Sequence, residues 1–438
     1  MENSDYSDGA AAMMGLWREQ EGFTEDGNFL ILSGGDNWTG PAISTWYQGE
    51  SMVEVMNGMD YVASAIGNHE FDFKIDGLKQ RMIQADFPYL SANIREKASG
   101  EIPEYITPYI IKEMAGMRVG IVGLTTTSAA WTTFPDNVAH LDFISYETAL
   151  TQIVPEVNEQ DVDLLIVIGH ICHQELLALV PTAKMLGIDI MTGGHCNELF
   201  GETIEGIVLI EGGAYMASYA RVEIILDEDT NDILNISPSV HLNENGTEDY
   251  DIAQIVSFWQ SEIASILSDV IGYADVEINR YGAQMHNMIT DAWLYLYPTA
   301  DISTTNTGGI RQSVPAGEIS LATIVGVLPF ENAIVEIELT GEQVENCIQH
   351  SPDLVIGGIT TIGGFYHLDG TPIVTDSVYI VLTTDYLYSI DDYLFKQYDS
   401  TPYYTAIHYR QPVIDWIQSL QTSLSDPLNN YLDSDPRR

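Results

Sequence analysis

The feature that most constrains this chain is a recurring unit. A short apolar run ends in a polar, glycine-bearing turn, and helical patterns fall between several of the runs. In the first half the runs are 29–32, 61–66, 119–124, 164–168, 188–191 and 207–210. Helical spacing appears at Met52, Val53, Val55, Met56 and Met59 and again over 144–158. Strands alternating with helices build a layered sheet with helices outside it, an α/β fold. In such folds ligands gather beyond the carboxyl ends of the strands, so the polar turns are where function is expected.

Further along, residues 226–250 are acidic and Asn-rich and read as a linker. A helix is expected over 251–269, where Ile252, Ile255, Val256, Trp259, Ile263, Ile266 and Leu267 recur at helical spacing. The expected organisation is a first domain over 1–230, a linker and connecting helix over 231–270, and a second domain over 271–438. Ser434-Asp435-Pro436-Arg437-Arg438 reads as a frayed tail. No apolar run approaches the length of a membrane span. The start, Met1-Glu2-Asn3-Ser4-Asp5, has neither a basic segment nor an apolar one, so an export signal would have to lie outside this sequence.

Four turns carry side chains that bind metals: Gly34-Gly35-Asp36-Asn37, Gly67-Asn68-His69-Glu70-Phe71-Asp72, Gly169-His170 and Gly194-His195-Cys196-Asn197. Each places a carboxylate, amide or imidazole at a strand's carboxyl end. Hard oxygen donors mixed with imidazole suit a divalent ion such as Mn, Zn, Co or Mg. Taken singly, each turn has an ordinary explanation, since Asp36 can cap a turn and a lone histidine after a strand is most often a core or surface residue. Four together, in this order, point to a metal centre.

These segments resemble the 5′-nucleotidase family of the calcineurin-like metallophosphoesterases, which includes UDP-sugar hydrolases and 2′,3′-cyclic phosphodiesterases. Residues 67–72 match its Gly-Asn-His-Glu-Phe-Asp motif, and Ser44-Thr45-Trp46-Tyr47-Gln48-Gly49-Glu50 lies in a second similar stretch. The resemblance implies a layered metallophosphoesterase sandwich, two β-sheets flanked by helices, followed by a smaller α/β substrate-binding domain. It implies one or two divalent ions per chain, with Asp36 as the bridging ligand and Asn68, His170 and His195 completing one site. It makes His69 the catalytic histidine, oriented by Asp72, in hydrolysis of a phosphoester by a metal-bound hydroxide.

Two departures from the family pattern stand out. The family begins with a strand ending in Asp-x-His, and here Gly9-Ala10-Ala11-Ala12 already resembles the segment after it. The family's Gly-His-x-His motif has Asn197 in its last position, and an Asn can still ligate through its amide oxygen. The expectation is either a piece of a longer enzyme or a degenerate member that binds nucleotide, or serves at a cell surface, without catalysis.

In the second domain, Asn306-Thr307-Gly308-Gly309-Ile310-Arg311 follows a strand-like run. Alone it reads as a glycine turn with a solvated arginine. The family carries the same segment, followed by motifs matched here by Pro329-Phe330-Glu331-Asn332 and Leu339-Thr340-Gly341. The resemblance implies a nucleobase held between Phe330 and Tyr386, with Asn306, Arg311, Asp391 and Arg280 as further substrate contacts. It also implies a hinge at the connecting helix. The family's glycine-rich turn after Tyr386 appears here as Ser389-Ile390-Asp391-Asp392-Tyr393.

Charge narrows the partner. With 64 Asp+Glu against 16 Lys+Arg, a net charge of −48, the chain is no binder of nucleic-acid polymers, which need a basic face. The expected partner is a nucleotide or nucleotide-like phosphoester, and with cations this scarce Arg311 stands out as its anion contact. The acidity fits a saline, extracellular, periplasmic or cell-surface setting, or plain solubility. Cys172, Cys196 and Cys347 allow at most one disulfide, which leaves the compartment open.

Overall fold

The computed structural model describes residues 9–438 except 228, 231 and 331, so residues 1–8 and Glu331 of the Pro329-Phe330-Glu331-Asn332 motif lie outside the described residues. The chain forms two units. The first holds the described residues up to Thr39 together with Tyr47–Gln260, and the second holds Gly40–Trp46 and Ser261–Arg438.

The first unit contains two main sheets. Strands Ile31–Ser33, Tyr61–Ala65 and Tyr89–Leu90 form a parallel three-stranded sheet. The second sheet has six strands in the order Leu199–Ile204, Ile207–Gly212, Ile190–Thr192, Leu164–Gly169, Met117–Leu124 and Tyr109–Met114. Its four central strands are parallel and its two edge strands antiparallel. Side chains alternate across a strand, and both faces here are apolar. Leu164, Ile166 and Ile168 enter a core shared with Ala63, Ala65 and Leu90 of the smaller sheet. Leu165 and Val167 enter a second core under helices Tyr146–Asn158 and His173–Leu186. A third core lies between the smaller sheet and helices Glu50–Gly58 and Lys74–Gln84. The result is the expected sandwich of two sheets between helices.

The second unit is a separate α/β layer. Its five-stranded sheet runs Leu354–Gly357, Ile302–Asn306, Val378–Thr384, Ala333–Thr340 and Tyr403–His408. Helices Ala283–Leu296 and Gln411–Leu420 contribute to the core on one face and Gly341–His350 to the core on the other. The short helix Ala42–Trp46 belongs to this unit and packs beside Leu321–Val327, although its sequence lies among the first unit's motifs.

Two expectations fail. Residues 226–250 are not a linker, because Ser218–Leu226 and Ile233–Leu242 pair as an antiparallel hairpin with Ile224 opposite Ile236. The acidic tract is its turn, in which the Asp227 carboxylate accepts the N–H groups of Asp229 and Thr230. The helix after it spans Tyr250–Leu267. The tail is not frayed. The Arg437 guanidinium, 5% exposed, makes a bidentate pair with Asp291 at 2.6 and 2.7 Å. Arg438 donates to the carbonyls of Ser351, Leu354 and Ile348 at the end of helix Gly341–His350, where a cation meets the negative end of the helix dipole.

Candidate functional site

The four turns singled out in the first unit follow strands Ile31–Ser33, Tyr61–Ala65, Leu164–Gly169 and Ile190–Thr192, all at carboxyl ends. They interleave closely. Gly35 takes a φ of +92°, and a Cβ there would meet Gly67 N and the His170 ring, while a Cβ on Gly67 would meet the Asp36 carboxylate. Glycine is required at both positions for the turns to touch.

Three donors converge on one atom, His170 Nε2. Asp36 Oδ2 lies 3.0 Å from it, Asn68 Oδ1 3.1 Å and His195 Nδ1 3.1 Å. Neighbouring groups aim three of the four donors. His170 Nδ1, bonded to Gly34 O at 2.7 Å, turns Nε2 toward the cluster. Asn68 Nδ2 donates to Thr132 O, which turns Oδ1 inward. The His69 N–H holds Asp36 Oδ1 at 2.8 Å. Asp36, His170 and His195 are spaced to hold a cation, and one carboxylate, one amide oxygen and two imidazoles make a donor set that fits a divalent ion.

These buried groups shift one another electrostatically. Burial raises the Asp36 carboxyl, but the His170 and His69 charges outweigh it and hold the group well below the usual range. Burial lowers His170, yet Asp36 raises it more. Burial, then neighbouring His170, brings His195 down to about 4, so its ring is neutral at neutral pH.

Next to the donors, His69 Nδ1 lies 2.8 Å from Asp72 Oδ2. The Asp72 carboxylate also accepts the hydroxyls of Thr39 and Thr133 at 2.8 and 2.9 Å, so it is fixed from three sides. Asn197 stands apart. It is exposed, with φ +58°, and its backbone N–H donates to Gly194 O. No hydrogen bond among the described residues joins its side chain to the cluster.

Sequence reasoning missed Glu70. Its side chain is fully buried and accepts the N–H groups of Gly67, Asp36 and Asn37 at 2.7, 2.9 and 2.7 Å, tying the turns that carry Asp36 and Asn68 together. Burial, reinforced by Asp36, raises its carboxyl to about 7. The available signal was a Glu inside the 67–72 motif. Glu211 supports a third turn by accepting the Glu198 N–H at 2.7 Å, and burial raises it to about 7.

In the second unit the predicted residues gather at one end of the sheet. Ile302–Asn306 runs parallel to Val378–Thr384, which is antiparallel to Ala333–Thr340 with Thr384 opposite Ile334. Asn306, Phe330 and Tyr386 therefore leave the sheet on the same side. Asp385 Oδ1 pins two of these segments by accepting the N–H groups of Ala333 and Tyr386. The Arg311 guanidinium lies 5.8 Å from the Phe330 ring centroid, and Arg280 Nη1 donates to Arg311 O at 2.6 Å. Asn306 is engaged locally, with Oδ1 accepting the Gly309 N–H and Nδ2 donating to the Tyr393 hydroxyl at 3.4 Å. Phe330 packs on one core and Tyr386 on the other, and Asp391 is exposed at the start of a 3₁₀ turn.

Comparison with known proteins places this geometry. Residues 270–398 match the family model for the 5′-nucleotidase C-terminal domain. The chain is 25% identical over 404 residues to endonuclease YhcR of Bacillus subtilis, an alignment covering 83% of this chain and 33% of that protein. It is 27% identical over 374 residues to the 5′-nucleotidase of Rattus norvegicus, covering 75% of this chain and 63% of that one. The chain spans from about a quarter to three fifths of the length of the first curated relatives it matches. A 5′-nucleotidase precursor of Thermus thermophilus superposes with a TM-score of 0.81 at 21% identity, covering 98% of this chain and 92% of that one, which shows a common fold.

Proposed function

We propose that this chain, a member of the 5′-nucleotidase family, hydrolyses a nucleotide phosphoester with the help of a divalent ion held by Asp36, Asn68, His170 and His195. The observation that carries the proposal is the convergence of three donors on His170 Nε2 beside the His69–Asp72 pair. A bound divalent ion supplies Lewis acidity that polarises a phosphoryl group and acidifies water.

The protein's own residues do the rest. Asp72 fixes the His69 tautomer at Nδ1, which makes Nε2 the atom that exchanges a proton with the substrate. Arg311, held against Phe330 and by Arg280, offers positive charge to an anionic group, and Phe330 and Tyr386 offer aromatic faces to a base. Asn306 serves by shaping the loop before Arg311. Asp391 contributes an acceptor for a substrate hydroxyl. The Cys172–Cys196 disulfide and the high acidity favour an oxidising, extracytoplasmic location.

The test is phosphate release from nucleoside monophosphates, and formation of the phosphate-monoester products from nucleotide sugars and 2′,3′-cyclic nucleotides, with added Mn, Zn or Co. His69→Ala should lower turnover about 100-fold or more while metal content stays the same. Nucleotide binding without any turnover under every metal would replace this reading with that of a non-catalytic binding protein.

A further inference from the structure

The donors of the cluster are not equally well held. His170 is 2% exposed and is bonded at 2.7 Å to Gly34 O. Asn68 is 1% exposed and is aimed by Thr132 O at 3.0 Å. Asp36 accepts a backbone N–H at 2.8 Å. His195 is half-buried at the start of a turn whose next residues, Cys196 and Asn197, are exposed, and outside the cluster its ring meets Ser128 Oγ at 3.4 Å, a long contact.

Covalent chemistry meets this turn at the next residue. Cys196, directly after His195, is bonded to Cys172, two residues after His170, with the Cα atoms 5.1 Å apart. Cys172 is itself fixed at the N-terminus of helix His173–Leu186, where its backbone N–H donates to Glu175 at 3.0 Å. The bridge therefore runs from the rigid strand–helix junction that carries the best-held donor to the turn that carries the weakest. The Gly194 N–H to Ile171 O bond at 3.1 Å and the His173 N–H to Glu198 carboxylate bond at 3.1 Å also join these segments, but both hold backbone on either side of His195 and neither sets the direction of its ring.

We propose that the Cys172–Cys196 disulfide is the positioning element for His195, and that divalent-metal affinity depends on this cross-link. The proposal rests on reading the cluster as a metal site. A disulfide acts by removing conformations that the uncrosslinked chain would visit, here those in which Nδ1 turns away from the other donors. It reinforces the long Ser128 Oγ contact at Nε2, which is the His195 ring's hydrogen-bonding partner outside the cluster. Cys196 is exposed, so a reductant can reach the bond. With a trialkylphosphine, the phosphorus is oxidised to the phosphine oxide with an oxygen from water, and the disulfide takes up two electrons and two protons to give two thiols.

The test is zinc and manganese affinity of the full chain by chelator competition. It compares oxidised wild type, phosphine-reduced wild type and the Cys172→Ser/Cys196→Ser double variant, with near-ultraviolet circular dichroism confirming folding. Reduction or double substitution should weaken binding about 10- to 100-fold. His195→Ala should weaken the oxidised protein by a similar factor and add little once the bridge is gone, because both changes remove the same donor. Unchanged affinity, tighter zinc binding by the freed thiols, or fully additive effects of the bridge and His195→Ala would each overturn the inference while leaving the proposed function standing. Absence of metal binding by the oxidised wild type would overturn the metal-site reading itself. If the double variant does not fold, the reduced wild type gives the answer.

Discussion

Glu70 offers the sharpest test of how the site is assembled. Its carboxylate receives three backbone N–H groups, from Gly67, Asp36 and Asn37, and the Asn37 side chain at 3.3 Å. Glu70→Ala strands the three backbone donors in a buried place. An unsatisfied buried donor costs about 1–3 kcal/mol, and water entering the vacated space, with relief of a buried charge, argues for the lower end, or about 3 kcal/mol in all. The loss is local to the turns that carry Asp36 and Asn68. Amide hydrogen exchange over 34–37 and 67–72 should therefore accelerate by about 100-fold, the factor that corresponds to about 3 kcal/mol of local opening. Metal affinity should fall about tenfold or more as the two donors lose their common anchor. Glu70→Gln keeps one acceptor oxygen and should lie between wild type and alanine. Wild-type exchange rates in these segments together with undiminished metal affinity in Glu70→Ala would refute the reasoning, because the turns would then be held by something other than this carboxylate.

Two further outcomes follow from buried charges. Burial raises the Glu211 carboxyl to about 7 in the folded chain, so the folded state binds its proton more tightly than the unfolded state and stability falls as pH rises from about 4.5 to about 7. Glu211→Gln should remove that slope and gain about 2–3 kcal/mol over wild type at pH 8 but almost nothing at pH 4, and equal urea midpoints of the two proteins at pH 8 would contradict it. In the second unit, Arg437→Ala should cost about 2 kcal/mol, below the loss for a fully buried pair because the Asp291 side chain is 35% exposed. Thermal unfolding that does not respond to this substitution would return the tail to the frayed state expected from its sequence.

The tail shows how far a local reading reaches. Ser434-Asp435-Pro436-Arg437-Arg438 has no apolar residue and no periodicity, so nothing in it announces a docked segment. Its partners are an aspartate on helix Ala283–Leu296 and the carbonyls ending helix Gly341–His350, far away in sequence. The tract at 226–250 misled for a related reason. Strand Ile233–Leu242 is half-exposed and interrupted by Pro238, so its apolar side is thin, and only pairing with Ser218–Leu226 makes it a strand. Helix Ala42–Trp46 sits among first-unit motifs yet packs in the second unit, a choice no local pattern encodes.

The sequence by itself determined the layered α/β fold and picked out the residues that meet in the candidate site. Apolar runs ending in glycine turns dictate buried strands, and a carboxylate, an amide and two imidazoles at strand ends have few other reasons to recur. Tertiary structure decided what those donors do together. Convergence on His170 Nε2, the anchoring of two turns by Glu70, and the pairing of Cys172 with Cys196 rather than Cys347 all join residues that chain position leaves unrelated. The physical reason is that strand order places the turns side by side, and distance and orientation among side chains exist only after that order is set.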